Sequence, residues 1–211
     1  MPIQEKEGVV FPELADPKSE VSTPKWVFFF GNGQADGAAD MKELLGGKGA
    51  GLAEMTNLGI PVPSGFTITT KACVEYAKSG TEYPSGMWDQ ALEALRRVEE
   101  SMNMRFGDPK NPLLVSVRSG AQASMPGMMD TVLNVGLTTK TVEGLAAKTR
   151  NERFAQDSYR RFITMFGSIV MGVPRERFEA ILNRKKAEMR VVHETQLDAG
   201  ALRDLVERFK S

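Results

Sequence analysis

The residues of this chain that are best suited to chemistry follow an apolar run that begins at Leu113. The run, LLVSV, is rich in β-branched residues and predicts a buried strand, and a single arginine, Arg118, stands where that strand should end. The next residues, SGAQAS, are small, and a Pro-Gly pair follows at 126–127. Such a loop can bring backbone N–H groups and hydroxyls up to an anion, with a guanidinium fixed at its base. The pattern therefore predicts an anion site with Arg118 as its first candidate ligand.

An arginine at the end of an apolar strand lowers stability unless an anion or a carboxylate pairs with it. A salt bridge to Asp130 or Glu54 is the alternative to a ligand phosphate, and the loop that follows favours the phosphate because it is rich in N–H donors. The hydroxyls of this stretch are either further donors or ordinary turn and cap residues. Its methionines either fill core gaps or cover a planar base. The side chains in question are Ser119, Ser124, Met125, Met128, Met129 and Thr131.

A second candidate cation lies in a glycine-rich turn at the start of a predicted helix. The stretch LLGGKGAGLAEM (44–55) places Lys48 among glycines and continues with helix-forming residues. Glycines let the backbone approach a phosphate, and a helix N-terminus favours negative charge by ~0.3–1 kcal/mol. A solvated lysine on a flexible turn is the alternative, and spacing alone does not separate the two. The turn is not a Walker A loop, because Gly49 follows the lysine where Ser or Thr is needed. Nor does GNGQADG at 31–37 have the glycine spacing of a dinucleotide fingerprint.

Composition argues against several classes of partner. Lysine plus arginine and aspartate plus glutamate number 27 each, so no broad electrostatic surface for nucleic acid or an anionic membrane is expected. The single cysteine excludes an intramolecular disulfide framework and suits a reducing compartment. No apolar run approaches the ~20 residues of a membrane helix. The acidic start of the chain does not resemble a signal peptide. We therefore expect a cytoplasmic protein, or a piece of one.

Three other candidates are set aside as structural. His193, the only histidine, lies in a polar stretch where a surface imidazole is the default. Cys73 is expected to be a small core residue of a helix, and Arg160 and Arg161 a solvated helix face or a docking patch. No cluster of cysteines and histidines suggests zinc, and no paired carboxylates suggest a metal or an acid–base site.

Hydrophobic periodicity and Gly/Pro punctuation predict strands that alternate with helices, followed by helices alone. We expect strands at 26–30, 66–69, 113–117 and 132–135, and helices at 44–55, 71–79, 87–104, 141–148, 152–171, 174–190 and 201–209. Gly59 should cap the first of these helices, and Pro174 should be the first residue of the sixth. The apolar positions of the third helix should form its buried face, namely Trp88, Leu92, Leu95, Val98 and Met102. The fold class is therefore α/β or α+β with additional C-terminal helices, after an extended or disordered lead-in over 1–24.

Four stretches carry a family resemblance. They are LLGGKGAGLAEM (44–55), GIPVPSGFTITT (59–70), PLLVSVRSGAQASMPGMMDTVLNVGL (112–137) and RFAQDSYRRFITMFG (153–167). Through these motifs the chain, from about Lys25 onward, resembles the N-terminal part of the pyruvate, phosphate dikinase family. The related phosphoenolpyruvate synthases share the glycine-lysine turn and the arginine strand but are less similar in the loop between them.

The resemblance implies the first half of an ATP-grasp nucleotide-binding domain. An N-terminal α/β subdomain would cover 25–150, and a helical segment over 151–211 would continue the same domain. In the family, the lysine of GGKGA and the arginine of SVRSGA contact ATP phosphates, which implies this role for Lys48 and Arg118. The loop that follows the arginine lies over the phosphates in the family. It implies further cofactor-binding positions at Ser124, Met125, Gly127, Met128, Met129, Asp130 and Thr131.

The resemblance also implies a reaction in which ATP, pyruvate and phosphate give AMP, phosphoenolpyruvate and diphosphate through a phosphohistidine carrier. The carrier histidine and the ligands of Mg²⁺ are expected outside this chain, so the chain should hold no catalytic residue and no metal and be incomplete alone. The implied partners are ATP or AMP, the second ATP-grasp half and the phosphohistidine domain, with a homodimer for the full-length parent. A fragment of a phosphoenolpyruvate synthase and a non-catalytic nucleotide-binding or interaction module are the alternatives.

Overall fold

The computed structural model describes residues 24–80, 82–120 and 130–211, so the expected lead-in lies outside the described residues except for Pro24. Within these ranges, no helix combines the length and apolarity needed to cross a bilayer. The elements in chain order are β1 (Val27–Gly31), β2 (Gln34–Ala35), α1 (Lys42–Asn57), β3 (Gly65–Ile68), α2 (Thr70–Lys78), α3 (Met87–Met102), β4 (Val115–Arg118), β5 (Thr131–Val135), α4 (Thr141–Thr149), α5 (Glu152–Ile169), α6 (Arg175–Glu188), a 3₁₀ turn (Glu194–Gln196) and α7 (Ala199–Lys210).

The first part of the chain is built on a three-stranded antiparallel sheet in the order β2-β1-β3. Strand β1 pairs Phe28 with Thr67 and Phe29 with Phe66 of β3. Alternate side chains of a strand point to opposite faces, and accordingly Phe28 packs with residues of α1 while Phe29 packs with Val98 of α3. Helices cover both faces, and every residue of β1 is buried. This double burial explains why the run WVFFF is apolar throughout rather than alternating.

The sheet carries a small core on each side. On the α1 side, Phe28 contacts Leu45 and Ala50, which are both almost fully buried. On the α3 side, Val27 contacts Ala91 and Ala94, whose small side chains allow the helix to approach the sheet closely. Fully burying one leucine side chain stabilises a fold by ~1.5–3 kcal/mol, so these contacts fix α1 firmly over the sheet.

The second part consists of the β4–β5 hairpin and four helices. Arg118 of β4 pairs with Thr131 of β5, and Val115 pairs with Val135. Helix α5 contacts β5, α4 and α7 and so forms the centre of this part. One core cluster joins Leu137, Val142, Ala155, Tyr159 and Val206. A second lies under α6 and α7 and joins Leu197, Ala201, Leu202 and Leu205.

The strands and helices predicted from the sequence are confirmed, with boundaries that shift by a few residues. The predicted stop of α1 is confirmed as well. Gly59 has a φ of 75°, its N–H donates to the Thr56 carbonyl at 3.0 Å, and the Ile60 N–H donates to the Met55 carbonyl at 3.0 Å. This pair of bonds is the Schellman arrangement, in which glycine is favoured because it adopts the left-handed conformation without strain. The mixture of antiparallel strands and helices is consistent with the α+β class.

The predicted buried face of α3 is partly wrong. Ala91, Ala94 and Val98 face the sheet, whereas Trp88 is 56% exposed and Leu92 46% exposed. Close packing on the sheet selects the small residues of the helix. The Trp88 ring instead stacks on the ring of Tyr83 outside the core, with centroids 5.8 Å apart.

Four smaller predictions are also corrected. Cys73 is exposed, because α2 turns its neighbour Ala72 inward. Arg160 is not solvated but buried, because the carboxylates of Asp157 and Glu194 pair with it. Pro174 precedes α6 as its N-cap instead of being its first residue. Strand β4 is less buried than its sequence predicts, because only its beginning is partly covered while Ser116, Val117 and Arg118 are exposed.

Candidate functional site

The glycine-rich turn lies inside α1 and breaks it. Gly46 has a φ of 68° and a ψ of 168°, so the regular helix restarts after it, with Lys48 in the first turn of the new segment. The conformation of Gly46 is one that residues with a Cβ rarely adopt. The first N–H groups of a helix have no carbonyl partner within it, and their partial positive charge favours an anion. The structure thus agrees with the prediction of a helix start at the lysine.

Two threonines, Thr67 of β3 and Thr70 at the start of α2, contact α1 around this turn. Gly49 lies so close to Thr67 that a Cβ at this glycine would be 2.8 Å from both Oγ1 and Cγ2 of the threonine. The hydroxyl of Thr70 donates to the carbonyl of Glu43 at 2.6 Å. The two contacts lie on either side of Gly46 in the sequence.

Arg118 is the last residue of β4 and is exposed. Among the described residues, no carboxylate oxygen lies within 4.0 Å of its guanidinium, so the salt bridges to Asp130 and Glu54 considered from the sequence are not formed. Immediately after it, the Ser119 N–H and Oγ each lie 3.3 Å from the carbonyl of Asp130 and donate to it. These bonds extend the pairing of the hairpin by one residue beyond the arginine.

The structure brings the glycine turn and the arginine strand together. The Nζ of Lys48 donates to the carbonyl of Ser119 at 3.4 Å, across 71 positions of sequence. The ammonium therefore lies against the carbonyl of the residue that directly follows Arg118. Lys48 is half-buried and, like Arg118, has no carboxylate partner within 4.0 Å in the described ranges. The two cationic residues thus lie on neighbouring segments, with no acidic side chain paired to either one among the described residues, which is an arrangement suited to a multiply charged anion.

The remaining predicted positions are only partly described. Asp130 is exposed and Thr131 is half-buried in β5, opposite Arg118. Ser124, Met125, Gly127, Met128 and Met129 lie outside the described residues. Over the ranges that are described, no group of three or more His, Cys, Asp or Glu side chains is arranged to hold a metal ion. His193 is exposed, as expected for a surface imidazole.

Sequence reasoning missed the threonines that support the turn. The signal was present in the motif GFTITT, where Thr67 alternates with apolar residues along a strand and therefore points to the face opposite Phe66. What the motif alone could not reveal is that this face lies against Gly49. That contact depends on how α1 crosses the sheet.

Comparisons with known proteins match most of the chain by sequence. A family model described as pyruvate phosphate dikinase, AMP/ATP-binding domain, matches residues 42–83, the segment that contains Lys48, Thr67 and Thr70. The chain is 55% identical over 190 residues to the chloroplastic pyruvate, phosphate dikinase of Flaveria pringlei, which covers 90% of this chain and 20% of that protein. It is 54% identical over 187 residues to the pyruvate, phosphate dikinase of Clostridium symbiosum, covering 89% of this chain and 21% of the relative. The chloroplastic pyruvate, phosphate dikinase 1 of Arabidopsis thaliana is 50% identical over 206 residues, which is 98% of this chain and 21% of the relative.

These matches identify the chain in the first place as one that contains an AMP/ATP-binding domain segment. More particularly, it is a homologue of the pyruvate, phosphate dikinases and corresponds to their ATP-binding portion. The chain spans about a fifth of the length of these relatives. The resemblance that its motifs indicated is thereby confirmed.

Proposed function

We propose that this chain binds the phosphates of ATP between its glycine turn and the end of β4, as the nucleotide-binding portion of a dikinase. The observation that carries the proposal is the hydrogen bond from Lys48 to the carbonyl of Ser119, which holds the ammonium at the residue that follows Arg118, with no described carboxylate on either cation. In this proposal Lys48 acts as a point charge and Arg118 supplies the planar, bidentate donor that matches two phosphate oxygens. The N–H groups after Gly46 add further donors.

The loop between β4 and β5 completes the proposed phosphate site. The implied members are Ser124, Met125, Gly127, Met128, Met129, Asp130 and Thr131. Thr131 is a good candidate to present a hydroxyl, because it lies opposite Arg118 in the hairpin. The described residues fit an anionic phosphate, and we propose, as the resemblance implies, that the ligands of Mg²⁺ lie outside this chain. When bound, the ion would supply additional positive charge to the phosphates.

The wider activity is likewise a proposal. We infer that the intact enzyme has an ATP-grasp domain whose first half is this chain, and that it transfers a phosphoryl group from ATP to a carrier histidine in another domain. Within such a reaction, Lys48 and Arg118 would neutralise and orient the phosphates during in-line displacement. Pyruvate and inorganic phosphate would be the acceptors of the overall reaction. We also propose a homodimeric parent, which the resemblance implies, and a reducing, cytoplasmic location, which suits the single cysteine.

The site is tested by titrating the ¹⁵N-labelled chain with a non-hydrolysable ATP analogue and magnesium, followed by amide chemical shifts, a method that detects weak binding. We expect shifts at 46–49, 118–120 and 130–131. Each charge-assisted hydrogen bond contributes about 1.5–3 kcal/mol, so Lys48→Ala and Arg118→Ala should each weaken binding roughly ten- to hundredfold.

Lys71→Ala and Arg184→Ala are the matched controls. Both side chains are exposed on helices and have no ion-pair partner among the described residues, so their removal should leave the affinity unchanged. If all four variants lowered the affinity for the ATP analogue equally, the effect of charge would be non-specific. Equal binding by the wild type, Lys48→Ala and Arg118→Ala would instead favour an interaction module that has kept the fold without the phosphate site.

A further inference from the structure

The part of α1 that carries Lys48 depends on its surroundings for its position. Gly46 interrupts the helical backbone, so the position of the segment after it depends on where the segment before it is held and on its own contacts with the sheet. Lys48 must nevertheless reach the Ser119 carbonyl, which belongs to the other part of the fold. A long lysine side chain with many rotamers holds such a contact only when its backbone is well placed.

One contact fixes the segment before the break. The Oγ1 of Thr70, the first residue of α2, donates to the carbonyl of Glu43 at 2.6 Å. This carbonyl lies three positions before Gly46. The preceding residue, Thr69, is almost fully buried, and its N–H donates to the Trp26 carbonyl at 2.9 Å. Thr70 is therefore anchored to the sheet, and through its hydroxyl it transfers that anchoring to the start of α1.

A second contact fixes the segment after the break. Thr67 is held in β3 by its pairing with Phe28, and its side chain faces α1. Gly49 lies against it with room for a hydrogen but not for a methyl group. A Cβ at this position would be 2.8 Å from Oγ1 and Cγ2 of Thr67 and 3.1 Å from Cβ of Leu45. Gly49 is the residue next to Lys48, so the distance between α1 and the sheet at Gly49 determines how far the backbone of Lys48 lies from the sheet.

We propose that Thr67 and Thr70 are positioning residues that place Lys48 for phosphate binding, Thr70 through the Glu43 carbonyl and Thr67 through its contact with Gly49. The proposal rests on the phosphate-binding role of Lys48 given above. The two threonines bracket the break at Gly46, so they determine the direction in which the restarted helix points its first N–H groups and its lysine. Neither threonine needs to touch the nucleotide. Their role explains why a motif rich in threonine follows the glycine turn in the chain.

The first test needs no nucleotide. In the free wild-type chain, the ammonium of Lys48 is held by Ser119, so the two Hε protons of this lysine should have separate NMR shifts, unlike those of exposed Lys71. In Thr70→Val, which keeps the shape and loses the hydroxyl, the Lys48 Hε signals should merge towards those of Lys71. Thr70→Ser restores the donor and should restore the separate signals. A purely structural role would lower the unfolding midpoint of Thr70→Val and leave the Lys48 signals unchanged, which overturns the proposal for Thr70.

The second test uses compensation between Gly49 and Thr67. Gly49→Ala introduces a methyl group against the threonine and should displace Lys48. The affinity for the ATP analogue should then fall by at least about tenfold, a loss comparable to that of one charge-assisted bond. Thr67→Ala removes the two atoms that the new methyl would meet. The double variant Gly49→Ala/Thr67→Ala should therefore bind the analogue more tightly than Gly49→Ala alone. If the double variant is as weak as the single one, the contact does not position the lysine.

The two tests separate this inference from the proposed function. If the analogue does not bind the wild type at the glycine turn, the proposed function fails, while the Lys48 signals of the free chain still report whether Thr70 positions the lysine. If the analogue binds and depends on Lys48, but Thr70→Val and the Gly49 pair leave both the signals and the affinity unchanged, the function stands and the positioning role is wrong.

Discussion

Arginine occurs in this chain in two opposite environments. Arg118 is exposed at the end of β4, without a carboxylate within 4.0 Å among the described residues. Arg160 is only 5% exposed and pairs with Asp157 and Glu194, each at 2.7 Å. A buried guanidinium with two carboxylates is neutralised and fixed, whereas an exposed one without a carboxylate partner remains available to an anion. The sequence suggested solvation for Arg160 because its partner Glu194 is remote in the chain.

The ion pairs of Arg160 should make it the more important of two adjacent arginines for stability. Arg160→Ala removes the charge-assisted hydrogen bonds to Asp157 and Glu194 together with a buried side chain, so the free energy of unfolding should fall by about 1.5–3 kcal/mol. Arg161→Ala is the control, because Arg161 is exposed and pairs with the same Asp157 at 3.0 Å. Its loss should cost less than about 1 kcal/mol. Urea denaturation followed by circular dichroism measures both, and equal losses would show that burial of the Arg160 pairs contributes nothing.

At the scale of elements, the β1–β2 hairpin is fixed to α3 by one carboxylate. Asp36, just after β2, accepts from the Phe29 N–H at 3.2 Å and pairs with Lys25 at 3.1 Å and with Arg97 at 3.6 Å. Burial raises the pKa of this carboxyl, but the hydrogen bonds from Lys25 and Phe29 and the charges of Lys25 and Arg97 outweigh burial and lower the pKa below its ordinary 3.8. The deprotonated form is therefore the one that holds the hairpin against the helix.

This shift predicts a pH dependence of stability. The folded-state pKa of Asp36 is depressed, so its contribution is present above the unfolded value of 3.8 and is lost as the pH falls through the folded-state pKa. The difference in unfolding free energy between the wild type and Asp36→Asn should accordingly shrink as the pH falls from about 6 to about 2.5. Lys25→Gln removes the main group that lowers the pKa and should flatten this dependence. Urea titrations at a series of pH values measure the unfolding free energy of each protein. A difference between the wild type and Asp36→Asn that does not change with pH would contradict the lowered pKa of Asp36.

The elements themselves were largely predictable, because local patterns determine them. WVFFF is apolar on both faces and has to be a buried strand, and Gly59 adopts the φ of 75° that a helix stop of this kind requires. The rotation of α3 was not predictable in the same way. Its apolar residues outnumber those that the sheet can bury, and only the close approach at Ala91 and Ala94 decides that Trp88 stays outside. The candidate site shows the same difference between local patterns and long-range contacts. Lys48 and Arg118 were predicted from residue type, whereas the contacts made by the Ser119 carbonyl and by Thr67 became apparent only in the folded structure.

At the scale of the whole molecule, the described surface includes apolar residues that lie outside the core clusters. Four of them fall within six positions of sequence, at the end of α5 and just after it. Phe166 and Ile169 are 37% exposed, Val170 57% and Met171 68%. We call these four residues the apolar α5 end. Apolar side chains clustered on a surface favour association, because burying them against another surface removes them from water.

The isolated chain should therefore self-associate through the apolar α5 end. Light scattering across a concentration series should give an apparent mass that rises with concentration, and the double variant Val170→Asp/Met171→Asp should keep the mass of a monomer because two carboxylates cannot be buried without partners. Val74→Asp is the control: Val74 is 50% exposed but lies on α2 in the first part of the fold, so its charge should leave the association intact. A wild-type chain that stays monomeric at every concentration would show that this surface is too small or too dispersed to drive association. If only Val74→Asp lost association, the surface through which the chain associates would lie in the part that contains the three-stranded sheet.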